Sequence, residues 1–262
     1  MMDLARELMP RALAVALSFS RGAGFVAVSP FPGGQAGPKA RVGLAVMLAW
    51  VASSLSPASA ELTTLDGRAV SGVASELGIG LMIGMAFRFV LSAGEILGQN
   101  LSQATVLSTP AGFNPMLSTQ ESALGQVISY FAMLVAVSIG AHRVALAWLL
   151  ESFRLLPVGT AVHLDAAAGT FVDLAADALA VGLRLSLPVV AVTLATQVAL
   201  AMIARAAPAL QIFSIGLSIL VAAGVMVLVA SMGDIAMGLS EHIGSLSSRL
   251  EQLLVLIAPQ PP

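Results

Sequence analysis

Between Ala206 and Gly233 the chain runs for 28 residues without a charge, and Arg205 stands directly before that run. A single helix of that length would reach ~42 Å, against about 30 Å of bilayer hydrocarbon. Pro208 argues against one unbroken helix, because its ring fixes φ and removes a backbone donor. The pattern predicts a turn over Arg205-Ala206-Ala207-Pro208, then a spanning helix from near Ile212 to Ile235. Five apolar segments precede it, at residues 10–29, 42–60, 72–94, 123–150 and 171–204. A loop rich in Pro and Gly, from Pro30 to Pro38, separates the first two.

The segments differ in strength. Leu185 to Ala204 holds nine Leu, Ile and Val and no charge. At about −0.3 to −0.6 kcal/mol each, that sums to about −4 kcal/mol for insertion. Gly72 to Gly94 is as apolar, but Arg88 costs roughly 3 kcal/mol and offsets most of the gain. That segment needs partner helices. Two stretches do not read as spans. Ile96 to Gln120 is uncharged yet rich in Gln, Asn, Ser and Thr, with Pro110, Gly112 and Pro115. Such backbone belongs outside lipid or inside a protein-enclosed cavity. Met237 to Ile257 repeats Leu239, Ile243, Leu246, Leu250, Leu253 and Ile257 at spacings of three and four. This predicts an amphipathic helix for a partner or a membrane surface. The expected architecture is all-α: a single multi-pass membrane domain over residues 1–262, with about six long apolar helices in kinked hairpins and an amphipathic tail.

Composition agrees with this class. Hydrophobic residues make up 58% and charged residues 10%, where soluble domains carry about 25% charged. Cysteine is absent, which removes disulfide and zinc-thiolate chemistry. A net charge of −2 speaks against nucleic acid as a partner. Leu13 to Phe19 could pass for the core of a signal peptide, but Asp3 and Glu7 stand where such peptides are basic. Basic residues of the expected loops favour an N-terminus inside.

The candidate intramembrane charges are Arg21, Glu76, Arg88, Asp177 and Arg184. Asp173, Asp177 and Arg184 fall within about 40° of one helix face. They form either a polar stripe towards a pore or partner, or a juxtamembrane end with Arg184 snorkelling. Glu76, Arg88 and Glu95 could form a proton relay; no chain of carboxylates or histidines continues from them, so structural pairing is the simpler reading. Gly80-x-x-x-Gly84 and Gly94-x-x-x-Gly98 permit close helix approach. No histidine has metal-ligand spacing to another, and no P-loop, G-x-S-x-G or H-E-x-x-H occurs. Neither an enzyme nor a metal or cofactor site is expected.

Several motifs, in order along the chain, resemble one known family. They are Ser29-Pro30 with Gly37-Pro38-Lys39 and Arg41, then Gly94-Glu95-Ile96-Leu97-Gly98. His142 and Ser152-Phe153-Arg154-Leu155-Leu156-Pro157-Val158-Gly159 follow, and last comes Arg205-Ala-Ala-Pro208 with Phe213 and Gly216. Together they are similar to the FliR/SctT family of the type III export gate. The resemblance implies a non-enzymatic subunit in a bacterial inner membrane, at the base of a flagellum or an injectisome. Its implied partners are P/R-type and Q/S-type export-gate proteins, a FlhB/SctU-type switch protein, membrane lipid, and secreted proteins that pass unfolded through a narrow channel. It also implies a plug between the third and fourth segments, here Thr105 to Gln120 with Pro110, Phe113, Asn114 and Pro115. Arg205, Pro208, Phe213, Gly216, Ser152, Pro157 and Gly159 are the implied assembly residues. Gln99, Asn100 and Gln103 depart from the small and Met residues usual there, and Asn114-Pro115 stands for a common Asp-Pro. The rival expectation is a small secondary transporter, with Glu76, Arg88 and Asp177 lining a midplane site.

Overall fold

The structure, a computed structural model, describes residues 2–31, 37–55, 67–105, 123–159, 162, 164–206 and 212–258. Every regular element among them is helical. In chain order these are α1 (Met2–Val28), α2 (Pro38–Leu55), α3 (Gly67–Ala104), α4 (Ala123–Ser138) and α5 (Ala141–Leu155). A short 3₁₀ turn, Leu164–Ala167, leads into α6 (Ala168–Ala206), and α7 (Ile212–Gly244) and α8 (Leu246–Ile257) complete the chain.

Three stretches are long and apolar enough to cross a membrane: Ser71–Ala104, Ala168–Ala206 and Gly216–Ile257. The broken pair Leu124–Ser138 and Ala141–Leu155 would make a fourth. The chain is thus a multi-pass helical membrane protein. Element ends depart from the apolar pattern in instructive ways. The third segment continues past Gly94 to Ala104, because Leu97, Gln99, Leu101 and Gln103 are good helix formers and no proline intervenes before Pro110. The segment at 123–150 is two helices. Gly140 adopts φ 77°, and its carbonyl accepts the N–H groups of Arg143 and Val144 to begin α5. A left-handed residue cannot continue a right-handed helix, so one chain break divides an unbroken apolar run. In α6, Pro188 sits inside the helix without ending it. Apolar surroundings favour keeping all other backbone bonds, which outweighs one missing donor.

The chain forms two compact units. The first comprises residues 1–90, 140–175 and 245–262. Here α1 and α2 pack as a hairpin, and α8 lies on α5 and the 3₁₀ turn. Leu17, Phe25, Ile79, Ile83, Phe87, Leu149 and Phe153 form its interior. The tail's apolar stripe finds its cover within the chain: Leu246, Leu250, Leu253, Leu254 and Ile257 are all buried. The expected partner or membrane surface for this face is therefore replaced by α5.

The second unit comprises residues 91–139 and 176–244. The end of α3 meets α4 at Gly94 opposite Ala132 and Gly98 opposite Gly125. It meets α6 where Gly182 faces Ile96. Asn100 turns inward and donates from Nδ2 to Ser186 Oγ at 3.4 Å. Gly224 of α7 lies against Thr105 and Thr193, and Gly238 against Leu185. Small residues at each crossing let van der Waals packing hold the helices, since lipid offers no hydrophobic drive between them.

Candidate functional site: a buried arginine clamp

Arg21, on α1, has no exposed side-chain surface, and neither has Glu76 on α3. Glycine makes their approach possible. A Cβ at Gly80 would run into the Arg21 carbonyl, and one at Gly84 into that of Phe25. With two glycines on α3 facing α1, the backbones come close enough for the side chains to meet inside the packing.

Arg21 Nε donates to Glu76 Oε2 at 2.6 Å. Its Nη1 donates to the Ser152 carbonyl at 2.8 Å and to Ser152 Oγ at 3.1 Å. Nη2 donates to the Leu156 carbonyl at 3.0 Å. The guanidinium also lies over the Phe153 ring, 4.2 Å from its centroid. The second carboxylate oxygen of Glu76 accepts the Gly159 N–H at 2.9 Å. Gly159 has φ 89°, a conformation other residues adopt only at a cost, and this conformation accompanies the N–H bond to Glu76. Ser152 Oγ in turn donates to the Leu149 carbonyl at 2.6 Å.

The arrangement joins α1, α3, the end of α5 and the turn after it at one point. Four of five guanidinium hydrogens are directed and both carboxylate oxygens are occupied. The charges neutralise each other, so the interior carries no net charge. Chemically this is a structural clamp. A carboxylate already held on both oxygens has little to offer an ion or a proton relay.

The structure brings together Arg21, Glu76, Ser152 and Gly159 from the expected residues. Pro157, between them, is exposed. Arg88 is exposed and lies twelve residues, ~18 Å, along α3 from Glu76, so the two do not pair. Glu95 is exposed as well. Arg184 and Asp173 are exposed on α6, and Asp177 is half-buried. Thr105 is buried, its hydroxyl bonded to the Leu101 carbonyl at 2.8 Å. Pro110, Phe113, Asn114, Pro115 and Pro208 lie outside the described residues. Arg205 is exposed in the last turn of α6, Phe213 lies in the first turn of α7, and Gly216 is buried there. The side chain of Phe213 is outside the description.

Sequence reasoning did not pair Arg21 with Glu76, and it overlooked Phe153 and the Leu156 carbonyl as partners. A usable signal was present: Arg21 lies deep within an apolar segment, and a buried cation requires an anion.

The sequence matches the family described as bacterial export proteins, family 1, over residues 12–246. It is similar to the flagellar biosynthetic protein FliR of Caulobacter vibrioides, 28% identical over 85% of this chain and 89% of that one. The FliR of Bacillus subtilis is 26% identical over 96% and 97%. That of Escherichia coli is 26% identical over 84% of each. A match over residues 12–246, which hold every part of the clamp, makes this chain a member of the bacterial export protein family 1, the FliR/SctT family of the type III export gate.

Proposed function

We propose that this chain is a non-enzymatic subunit of the flagellar protein export gate in the bacterial inner membrane. It assembles there with P/R-type and Q/S-type membrane proteins, next to a FlhB/SctU-type switch protein, around a channel for unfolded export substrates. The observation that carries the reading is the near end-to-end likeness to flagellar biosynthetic proteins. The clamp supports it as well: its charges are consumed in fixing helices, which suits a packed subunit better than a transport site. Thr105 to Gln120 acts in this reading as the closing loop. Arg205, Pro208, Phe213 and Gly216 are in this reading the residues on which assembly depends.

Affinity purification of the tagged chain from its native membrane tests the proposal. The expected product is a hetero-oligomer containing two other small membrane proteins, and loss of the chain abolishes flagellar export. A homo-oligomer with saturable solute uptake in vesicles would establish the transporter reading instead.

A further inference from the structure

Within the second unit, α4 has two opposite faces. Gly125, Ile128, Ala132 and Ala136 are buried. Two of them meet α3, where Gly98 lies against Gly125 and Gly94 against Ala132. On the other side Val127 is 58% exposed, Tyr130 60%, Leu134 66% and Val137 41%. These four recur at spacings of three and four. They fall within about 80° of one another around the helix and run for ~15 Å along it. That is the kind of seam by which one helix packs on another.

Exposed charges stand at the same level. The two glycine contacts run α3 antiparallel to α4 and set Glu95 level with the turn that carries Tyr130. α6 runs parallel to α3, with Gly182 against Ile96 and Ser186 bonded to Asn100, so Arg184 is level with Gly98 and the start of the seam. Glu95 and Arg184 are exposed, and among the described residues neither has an ion-pair or hydrogen-bond partner. Arg184 falls about 160–200° around α6 from Gly182 and Ser186, so it is turned away from α3 and does not serve Glu95. Acyl chains at this level would meet an ionised carboxylate and a guanidinium as well as the seam, which hydrocarbon strongly disfavours. Water would meet four neighbouring large apolar side chains. A protein helix answers both, since it covers the seam and can bring a cation to Glu95. A second copy does not. Two copies that share one orientation in a membrane and pair the same face meet at equal levels, so Glu95 would confront Glu95.

We propose that the outer face of α4 is the docking surface for a membrane helix of another protein. That helix lays an apolar ridge along Val127, Tyr130, Leu134 and Val137 and brings a Lys or Arg to Glu95. The inference rests on the proposed function, which supplies partner subunits, and adds to it the face and the chemistry that select one of them.

Photo-crosslinking of the full chain in its native membrane tests this, with p-benzoylphenylalanine in place of Tyr130 or Leu134. Illumination should give one discrete adduct with another membrane protein, and peptide mapping should place it on an apolar helix that carries a Lys or Arg. The same probe in place of Val198, inside the uncharged run from Leu185 to Ala204, provides the comparison for lipid contact. Glu95→Lys should lower the adduct yield roughly fivefold, because attraction becomes repulsion, and Glu95→Asp should retain it. Changing the mapped cation to Glu should restore the yield with Glu95→Lys, which separates charge from folding. Lipid adducts at Tyr130 and Leu134 overturn the proposal, as do adducts with residues 106–122 of the same chain or with a second copy. So does a yield that Glu95→Lys leaves unchanged. Where the hetero-oligomer still purifies, each of these outcomes leaves the proposed function standing; where it does not, that function falls as well.

Discussion

Removing the Glu76 carboxylate with Glu76→Ala would leave the Arg21 guanidinium charged in an interior where neither side chain has any exposed surface. The change deletes the 2.6 Å ion pair and the acceptor of the Gly159 N–H together. Breaking a buried pair by removing one partner costs about 3–5 kcal/mol, chiefly as the penalty of an uncompensated charge. Arg21→Met should cost a similar amount, for the converse reason. The double variant removes both charges and should cost much less than the sum. What remains is the Gly159 N–H and the Leu156 carbonyl without their clamp partners, at about 1–3 kcal/mol each. The Ser152 carbonyl keeps the Leu156 N–H at 2.9 Å. Thermal denaturation in detergent, followed by monodisperse fraction, gives the assay. At ~2–4 °C per kcal/mol, each single variant should lower the midpoint by roughly 6–20 °C. A double variant whose loss equals the two single losses added together would refute the clamp. So would Glu76→Ala melting within about 2 °C of the native chain, a shift smaller than 1 kcal/mol.

Gly159→Ala should destabilise by about 1–2 kcal/mol, since φ 89° is strained for any residue with a Cβ; a midpoint unchanged in the same melt would show that the turn can relax. Leu250→Ala empties a fully buried position on α8 and should cost about 2–5 kcal/mol, read as increased protease sensitivity of the C-terminus. Deleting residues 105–120 should leave the assembly intact but leaky to ions, and a normal conductance with normal assembly removes the loop from the closing role. Arg205→Ala and Pro208→Leu should reduce the yield of complex more than the yield of inserted chain; complexes at native yield would contradict that assignment.

The helical class was legible because an apolar run of about twenty residues or more can sit in lipid only if its backbone bonds close within the segment, as a helix does. Boundaries were less so, for reasons particular residues make plain. Gly140 looks like any membrane glycine until its φ of 77° is known, and Ile139 and Ala141 on either side are as apolar as the helices they separate. The tail's stripe was visible as periodicity, but periodicity does not say what covers a face, and here α5 does. The clamp was the hardest part to see. Arg21 and Glu76 stand 55 residues apart, and Ser152 a further 76 along, so no local pattern relates them. Spacing along one helix groups Glu76 with Arg88 and Glu95, whereas its partner comes from α1.

The Ser152–Gly159 motif of the family gains a physical meaning from this site. Ser152-Phe153-Arg154-Leu155-Leu156-Pro157-Val158-Gly159 is not one contiguous surface. Ser152 supplies a carbonyl and a hydroxyl, Phe153 a ring face, Leu156 a carbonyl and Gly159 an N–H, all converging on one ion pair. Arg154 and Leu155, which the spacing turns away, are exposed. The spacing is that of a helix end receiving a cation. The Leu156 carbonyl lies past the last backbone donor of α5, and the guanidinium supplies one to it and a second to the Ser152 carbonyl, while the helix dipole favours its charge. An apolar pair of equal volume could fill the same space, but it could not distinguish the end of α5 from any other turn of helix. A charge pair with directed bonds can, because a shift of one residue would take the Leu156 carbonyl, the Ser152 hydroxyl and the Gly159 N–H out of line with their partners. The clamp therefore serves registry of α1 and α3 against the end of α5, and stability follows from that registry rather than from the ion pair alone.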